Sequence, residues 1–351
     1  MKIYFAINKE KSPNPFVAVL ARRLKELDPS IEIALGISTF WSDEIFSCDI
    51  VHIHWPDALI RGTNKTAEEL KKRLAEIKSH KGKIVATCHN LVAHYAKFPW
   101  QKEVYSITYS TCDLILHMGN YSLNLFKEMY PSSRNELLPH HIYDDRNNEN
   151  FSKNEAAQKL RLDPQKTYIL CLGAFRDNQE RNLLIGLSKF LKKNSIKILA
   201  PSFYIAPKPR GIRSTIRYFK SKLCAFKLNI KNNIITCTKF ISDEEISLMG
   251  AIADLVLLQR IHILNSGNIS LGFHLGKVVV GPNDGNVAEM LRNTGNPIFQ
   301  TDNLGSLPEA LEKGLELARD GFGEKNKEFA KQHLSSTKIA QQLLQYYRQL
   351  F

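Results

Sequence analysis

QRIHILNSGNISLGFHLGKVVVGPNDGNVAE, residues 259–289, contains one short design twice: a polar turn follows an apolar run and opens a helix. The first turn is Asn265-Ser266-Gly267, and the second is GPNDG, residues 281–285. Backbone N–H groups without partners and the positive end of the helix dipole meet at a helix N-terminus, which makes it a candidate anion site. Two such turns side by side predict a site for a diphosphate.

Short apolar runs alternate with helical patterns along the whole chain, which predicts parallel sheets built from β-α-β units. At 351 residues the chain is too long for one ordinary core and suits two domains. The predicted strands lie near Lys2–Ile7, Ile31–Leu35, Ile50–Ile53, Lys83–Cys88, Asp113–His117 and Glu136–Leu138, and then near Tyr168–Leu172, Lys197–Ala200, Ile234–Cys237, Asp254–Leu258 and Lys277–Val280. The clearest predicted helices are Phe16–Leu27, Ala67–Ser79, Arg181–Lys192 and Asp243–Ala253.

A polar stretch at residues 143–153 separates the two groups of strands. We therefore expect an α/β protein with two Rossmann-like, doubly wound parallel-sheet domains facing a cleft. The expected domains are residues 1–150 and 151–335, and a last helix, residues 336–351, is expected to pack back toward the first domain. Ligands of such sheets bind where strands end, so the loops that follow strands are the places to look for a site.

Composition narrows the class of protein. Hydrophobic residues at 43% and charged residues at 24% are typical of a globular chain and exclude a disordered or fibrous one. The six cysteines show no CxxC spacing, and four of them lie in or beside apolar runs, which favours a reduced, cytoplasmic compartment. The first apolar stretch is too short for a signal peptide, and no run approaches the ~20 apolar residues of a membrane span.

The net charge of +13 is unevenly placed, because residues 207–233 contain eight basic and no acidic side chains. These are Lys208, Arg210, Arg213, Arg217, Lys220, Lys222, Lys227 and Lys231. Such a segment attracts an anionic surface, and we expect it to dock on the inner face of the plasma membrane. The alternative interpretation is a solvated helix face.

In the first domain, the candidate residues follow predicted strands. His89 ends a strong strand and suits a hydrogen bond to a sugar hydroxyl, although a single histidine is often a packing residue. His54 also ends a predicted strand and has the same two interpretations. Trp55 either offers a flat face for a sugar ring or belongs to the core. Asn90 and Asn14, in the loops after other strands, complete the predicted acceptor-binding set.

In the second domain, Gly173 follows a strand, and Arg176 stands three residues later, where a guanidinium can clamp a phosphate. Gln259 and Arg260 end another strand, and Arg260 is either a second phosphate ligand or part of an ion pair between the two domains. Glu289 is predicted on the first turn of the helix after residue 285, where it accepts hydrogen bonds from a sugar or only favours the helix dipole.

The motifs of several common enzyme classes are absent from the sequence. The chain contains no GxxxxGK[ST], HExxH, GxSxG or Asp-x-Asp pattern and no closely spaced metal ligands. We therefore expect no metal and no cofactor. The charge of a leaving diphosphate would be met by arginines and helix N-termini.

The ordered set of motifs resembles glycosyltransferases of the GT-B fold, close to the large retaining family 4, of the bacterial surface-polysaccharide type. The motifs are IVHIHWPD, IVATCHNLVAHY, LPHH, LGAFR and ILNSGNISLGFHLGKVVVGPNDGNVAEML, beginning at residues 50, 84, 138, 172 and 263. The resemblance implies a nucleotide-sugar donor bound mainly by the second domain and a glycan or lipid-linked acceptor bound by the first.

Residue by residue, the resemblance makes His89 the histidine that contacts the transferred sugar and Arg176 the arginine of the diphosphate. Residues 265–267 then approach the donor phosphates and sugar, and Glu289 matches the acidic residue after the glycine turn. The usual E-x7-E glutamates are replaced by Ile263 and Leu271, and the lysine that usually follows the arginine is absent. Arg181 is placed to replace that lysine.

These features predict a glycosyltransferase, EC 2.4 and hexosyltransferase-like, with retention implied by the resemblance. Three alternatives stay open: a nucleotide-sugar epimerase of the same fold, a nucleic-acid-binding protein that uses the basic segment, and a non-catalytic homologue. Few aromatic residues interrupt the basic segment, which disfavours nucleic acid.

Overall fold

The structure is a computed structural model that describes residues 1–7, 15–92, 98–144, 151–204, 211–237 and 241–351. The chain divides into two compact units. The first unit contains Met1–His141 together with Leu334–Phe351, and the second contains Ile142–His333. Within these described residues, each unit is built around its own parallel sheet of six strands.

The sheet of the first unit has the strand order β2-β1-β3-β4-β5-β6. Its strands are β1 (Lys2–Phe5), β2 (Glu32–Leu35), β3 (Ile50–Ile53), β4 (Lys83–Thr87), β5 (Leu114–His117) and β6 (Arg134–Leu137). Its helices in this part of the chain are α1 (Phe16–Leu27), α2 (Ile37–Trp41), α3 (Ala67–Ser79), α4 (Pro99–Thr111) and α5 (Asn120–Met129). The strand order reverses between β1 and β3, so a crevice is expected at the carboxyl ends of these two strands.

The sheet of the second unit has the order β12-β11-β10-β7-β8-β9. Its strands are β7 (Thr167–Leu170), β8 (Ile196–Leu199), β9 (Ile234–Ile235), β10 (Leu255–Leu257), β11 (Val278–Pro282) and β12 (Ile298–Phe299). Its helices are α6 (Lys153–Leu160), α7 (Asn178–Gly186), α8 (Ser188–Lys193), α9 (Ile212–Asn232), α10 (Asp243–Ile252), α11 (Gly267–His274), α12 (Gly285–Asn293), α13 (Leu307–Arg319) and α14 (Phe322–Leu334). Here the order reverses between β7 and β10.

The last helix, α15 (Ser336–Arg348), packs on the first unit. Ile339, Leu343 and Tyr347 are fully buried or nearly so, and they share one apolar core with Leu20 and Leu24 of α1. Burial of each such side chain contributes about 1.5–3 kcal/mol. The core therefore joins the two ends of the chain within one unit.

The predicted α/β class with two parallel sheets is confirmed. Two details of the prediction were wrong. Strand β12 was missed, because a run of two residues carries no periodicity. The single helix predicted at Arg181–Lys192 is two helices: Asp177 caps α7 by accepting a hydrogen bond from the N–H of Glu180 at 3.0 Å, and Gly186 ends it. Glycine is a weak helix former because it loses the most backbone entropy.

None of the helices in the described part of the chain is long and apolar enough to cross a membrane.

Candidate functional site

The loop after β7 is tied to the start of α11, although the two are distant in sequence. The side-chain amide of Asn268 donates to the carbonyl of Leu172 at 2.7 Å. Gly173 follows with φ of +91°, in the left-handed region that favours glycine. A Cβ at this position would also lie 3.1 Å from the Asn268 amide nitrogen. A glycine here therefore lets the backbone approach the α11 N-terminus.

Arg260 extends from the end of β10 to the same loop. Its Nη2 donates to the carbonyl of Ala174 at 3.3 Å, and its Nε lies 3.4 Å from Oε1 of Glu180. The Glu180 carboxylate is 6% exposed and also accepts the backbone N–H of Arg176 at 2.9 Å. The expected ion pair of Arg260 was one between the domains, whereas the pair that the structure shows, with Glu180, lies within the second unit. The role of Arg260 toward a donor stays a prediction.

Arg176 and Arg181, the two arginines predicted to bind the donor from this loop, differ in the contacts that the structure shows for their side chains. The Arg176 side chain is half-buried. Arg181 donates from its guanidinium to the carbonyls of Asp177, Phe175 and Phe203 at 2.7, 3.2 and 3.3 Å. These bonds hold the loop onto α7, and the donor-binding role of Arg181 stays a prediction.

The two polar turns of residues 259–289 lie side by side, and each opens a helix as predicted. The N–H of Ile263 donates to the Asp284 carboxylate at 2.7 Å, and the Asn286 amide donates to the Asn265 side-chain oxygen at 2.7 Å. Gly285 has φ of +54°, and a Cβ there would lie 2.9 Å from the Ile263 carbonyl oxygen. Ser266 caps α11 by accepting the Asn268 N–H at 3.3 Å. The N-termini of α11 and α12 are therefore neighbours.

Two further predicted residues lie on these elements. Glu289 is not on the first turn of α12, because the helix begins at Gly285 and no acidic residue falls in that turn; the prediction of its place was wrong by one residue. Gln259 is 1% exposed, and its Nε2 has no hydrogen-bond partner among the described residues. A buried amide nitrogen of this kind costs free energy unless a ligand or water meets it.

In the first unit, four aromatic rings gather where β3 and β4 end. His54 Nδ1 and His89 Nε2 are 3.1 Å apart and share a hydrogen bond. Trp55 stacks on His89 with ring centroids 4.7 Å apart, and Phe16 meets His89 edge-on at 5.1 Å. This places three of the predicted residues together. Trp55 and His89 are half-buried, so each keeps part of its surface accessible.

Burial keeps two histidines neutral here: His54, and His52, whose ring stacks on that of His54 with centroids 4.2 Å apart. It lowers the pKa of His52 to about 3 and holds the pKa of His54 well below its ordinary value. His54 Nε2 and the buried Asn90 Nδ2 have no hydrogen-bond partner among the described residues. A neutral imidazole and an amide with free hydrogen-bonding capacity suit sugar hydroxyls. Asn14 of the predicted acceptor set, like Lys208 and Arg210 of the basic segment, lies outside the described residues.

Sequence reasoning missed several residues that hold the site. Glu180, Asn268 and Asp284 position the loops, and His52 lies below His54 with its imidazole between Tyr347 and Thr87 at 2.5 and 2.8 Å. The signal for His52 was its alternation with His54 along one strand. Asn268 and Asp284 carry no local signal, because their side chains bond to residues far away in sequence. Glu180 bonds to nearby Arg176, but its pairing with the distant Arg260 has no local signal either. No cluster of three metal-ligating side chains occurs among the described residues.

Comparison with known proteins gives structural likeness without close sequence relatives. No protein-family model and no curated protein matches the chain. A sucrose-phosphate synthase from Thermosynechococcus elongatus is 12% identical, with a TM-score of 0.74 over 100% of this chain and 99% of that one. Anabaena Alr3699/HepE in complex with UDP is 13% identical, with a TM-score of 0.66 over 99% and 100%.

A glycosyltransferase from Rickettsia africae is 13% identical, with a TM-score of 0.65 over 99% of this chain and 98% of its own. Likeness at such low identity establishes architecture. The chain has the GT-B fold of these proteins, with two parallel-sheet units of Rossmann type.

Proposed function

We propose that the protein is a glycosyltransferase that moves a sugar from a nucleotide-sugar donor to an acceptor hydroxyl. The observation that carries the proposal is the pair of hydrogen-bonded helix N-termini, α11 and α12, beside the Gly173 loop at the point where the order of the second sheet reverses. Support comes from Anabaena HepE, a structure of the same fold that was solved with UDP and with UDP-glucose.

In this proposal the donor diphosphate binds between the two turns. The bond from the anomeric carbon to the phosphate oxygen breaks, and negative charge gathers on the leaving phosphate. Backbone N–H groups near Ser266 and Gly267, with Arg176, stabilise that charge. Loss of one such donor typically slows a reaction by roughly 10²–10³-fold. The acceptor hydroxyl bonds to the anomeric carbon, and its proton passes to the leaving phosphate.

The cluster around His89 is proposed to serve the sugar side of the reaction. Trp55 offers a ring face, and His54 and Asn90 have hydrogen-bonding atoms without partners among the described residues. A glycan or lipid-linked acceptor needs these kinds of contact, since sugars pack their apolar faces on aromatic rings and bond through their hydroxyls.

We further propose that transfer is retaining and needs no metal, and that the protein works in the cytoplasm on cell-surface polysaccharide or a related glycan. Support for the metal-free reaction is the absence of an Asp-x-Asp motif. Retention is supported by the resemblance to family 4.

The test begins with a thermal-shift screen of UDP, GDP, ADP and CMP sugars, because a ligand of the folded state raises its apparent stability. Nucleotide release by the stabilising donor is then measured with and without acceptor oligosaccharides, in EDTA and in Mg²⁺. Release that depends on acceptor supports transfer, and a changed sugar without nucleotide release would identify an epimerase. Arg176→Ala should lose transfer and Arg319→Ala, an exposed arginine of the same unit, should keep it. Equal activity of the two variants would contradict the proposed diphosphate site.

A further inference from the structure

Helix α9 carries a stripe of large apolar side chains that face solvent. The stripe, here called the α9 stripe, consists of Ile212, Ile216, Phe219, Leu223, Phe226 and Ile230. Their spacing alternates between four and three residues, so they share one side of the helix. Each is between 49% and 82% exposed. Soluble proteins seldom leave such a continuous row uncovered.

The opposite side of α9 is the one that meets the rest of the second unit. Less exposed residues recur at the same period on that side: Ser214, Tyr218, Ser221, Ala225, Leu228 and Asn232. Among them Leu228 alone is buried, in the core of the unit. The Asn232 amide anchors the end of the helix by donating to Ser188 Oγ at 2.7 Å. The amphipathic helix is therefore mounted with its apolar side outward.

The basic side chains of α9 flank the stripe. Arg213, Arg217, Lys220, Lys222, Lys227 and Lys231 are all exposed, and the helix contains no acidic residue. With 3.6 residues per turn, five of the six fall on one flank of the stripe and Lys222 falls on the other. The outward surface of the helix is thus an apolar row with positive borders.

This combination selects among possible partners. A second copy of the chain would cover the apolar row but would bring two sets of like charges together, which is unfavourable. Nucleic acid would neutralise the charge but would leave the apolar side chains of the stripe exposed to water, because its backbone offers phosphates and not an apolar surface. An anionic lipid surface satisfies both features, since acyl chains take up the apolar row and headgroups meet the lysines and arginines.

We propose that α9 is an in-plane anchor that binds an anionic bilayer surface, with the α9 stripe inserted at the level of the acyl-chain boundary. Its 21 residues span about 31 Å at a 1.5 Å rise, which suits a helix lying along the surface. The anchor requires no transferase activity. If the proposed acceptor is lipid-linked, the anchor also brings the protein to the surface where that acceptor lies.

The experiment is co-sedimentation of the full chain with vesicles of phosphatidylglycerol and phosphatidylcholine in equal parts, and with phosphatidylcholine alone. The stripe variant carries Phe219→Ser and Phe226→Ser, and its control is Met129→Ser, a similarly exposed apolar residue of the first unit. The charge variant carries Arg213→Gln, Arg217→Gln and Lys220→Gln, and its control carries Lys71→Gln and Lys72→Gln on α3. All replaced side chains are exposed, so folding is retained and is checked by thermal melting.

We expect the unaltered chain to bind the anionic vesicles and not the neutral ones, and binding should fall as salt rises. The stripe variant should lose at least tenfold in affinity, and the charge variant should lose both affinity and salt dependence. A Phe219→Trp probe should be quenched by brominated acyl chains, whereas Met129→Trp should not. Thermal shifts with nucleotide sugars should be the same in all variants, so failure of the anchor is separable from failure of the transferase.

Three results would overturn the proposal. The first is full binding by the stripe variant. The second is a lack of binding to anionic vesicles by the unaltered chain. The third is a dimer, detected by analytical ultracentrifugation, that the stripe variant abolishes while vesicle binding stays unchanged; this would identify a second copy as the partner.

Discussion

Arg260 Nε lies 3.4 Å from Glu180 Oε1, and this pair joins the end of β10 to the first turn of α7. The two strands that the pair connects, β10 and β7, are the neighbours at which the order of the second sheet reverses. Both side chains are largely buried, at 17% and 6% exposure. The loop that presents Arg176 is therefore held from two sides, by the pair and by the bond from the Arg176 N–H to Glu180.

Glu180→Gln should test this relationship. The change keeps the shape but removes the negative charge that faces Arg260, so the unfolding free energy should fall by about 1–3 kcal/mol. Urea unfolding measures it, with Glu312→Gln, an exposed residue of α13, as the control. An unchanged unfolding free energy would show that the pair adds no stability.

Gly173→Ala should be costlier than the same change at another glycine of positive φ. Gly62 has φ of +77°, and a Cβ there would meet no atom of the described residues within 4 Å, whereas a Cβ on Gly173 would meet the Asn268 amide at 3.1 Å. Gly62→Ala should therefore lower the unfolding free energy only by the cost of placing a Cβ on a left-handed backbone, about 1–2 kcal/mol. We expect Gly173→Ala to exceed it and also to weaken the thermal shift with the donor. Equal losses in the two variants would mean that the Asn268 contact adjusts freely.

Acid should destabilise the first unit through its buried histidines. The unfolded chain binds a proton on His52 near its ordinary pKa, and the folded chain does so only near pH 3. Stability is therefore fully present above about pH 6.5 and is lost as the pH falls toward 3, at about 1.4 kcal/mol per pH unit for each such histidine. The unfolding free energy, measured by urea unfolding at several pH values between 7 and 4, should depend less steeply on pH in His52→Gln than in the unaltered chain. An equal pH dependence of the unfolding free energy in the two chains would contradict the lowered pKa of His52.

Tyr347→Phe should destabilise the first unit although it keeps the ring. The change removes the hydroxyl that lies 2.5 Å from His52 Nδ1 and leaves a buried ring nitrogen without a partner. The expected loss is about 1–3 kcal/mol in urea unfolding. Gln345→Ala, exposed on the same helix, is the control and should differ little. A neutral Tyr347→Phe would show that the hydroxyl is not required by His52.

Local pattern was enough to predict most of the secondary structure. The helices Phe16–Leu27 and Ala67–Ser79 and the strand Ile50–Ile53 were predicted to the residue, because apolar periodicity and capping residues are local properties. The helix break at Gly186 and the strand β12 were not predicted. The break leaves the apolar periodicity of the segment intact, and a strand of two residues is too short to show any periodicity.

The sequence by itself determined that the chain folds into two α/β units, each with a parallel sheet, and that its turns at residues 265–267 and 281–285 open helices. Tertiary structure alone decided that these turns bond to each other, that Arg260 pairs with Glu180, and that α9 turns its apolar side outward. The physical reason is distance along the chain. Periodicity reports which side of a helix is apolar, but whether that side meets a core or solvent depends on elements packed from elsewhere in the sequence.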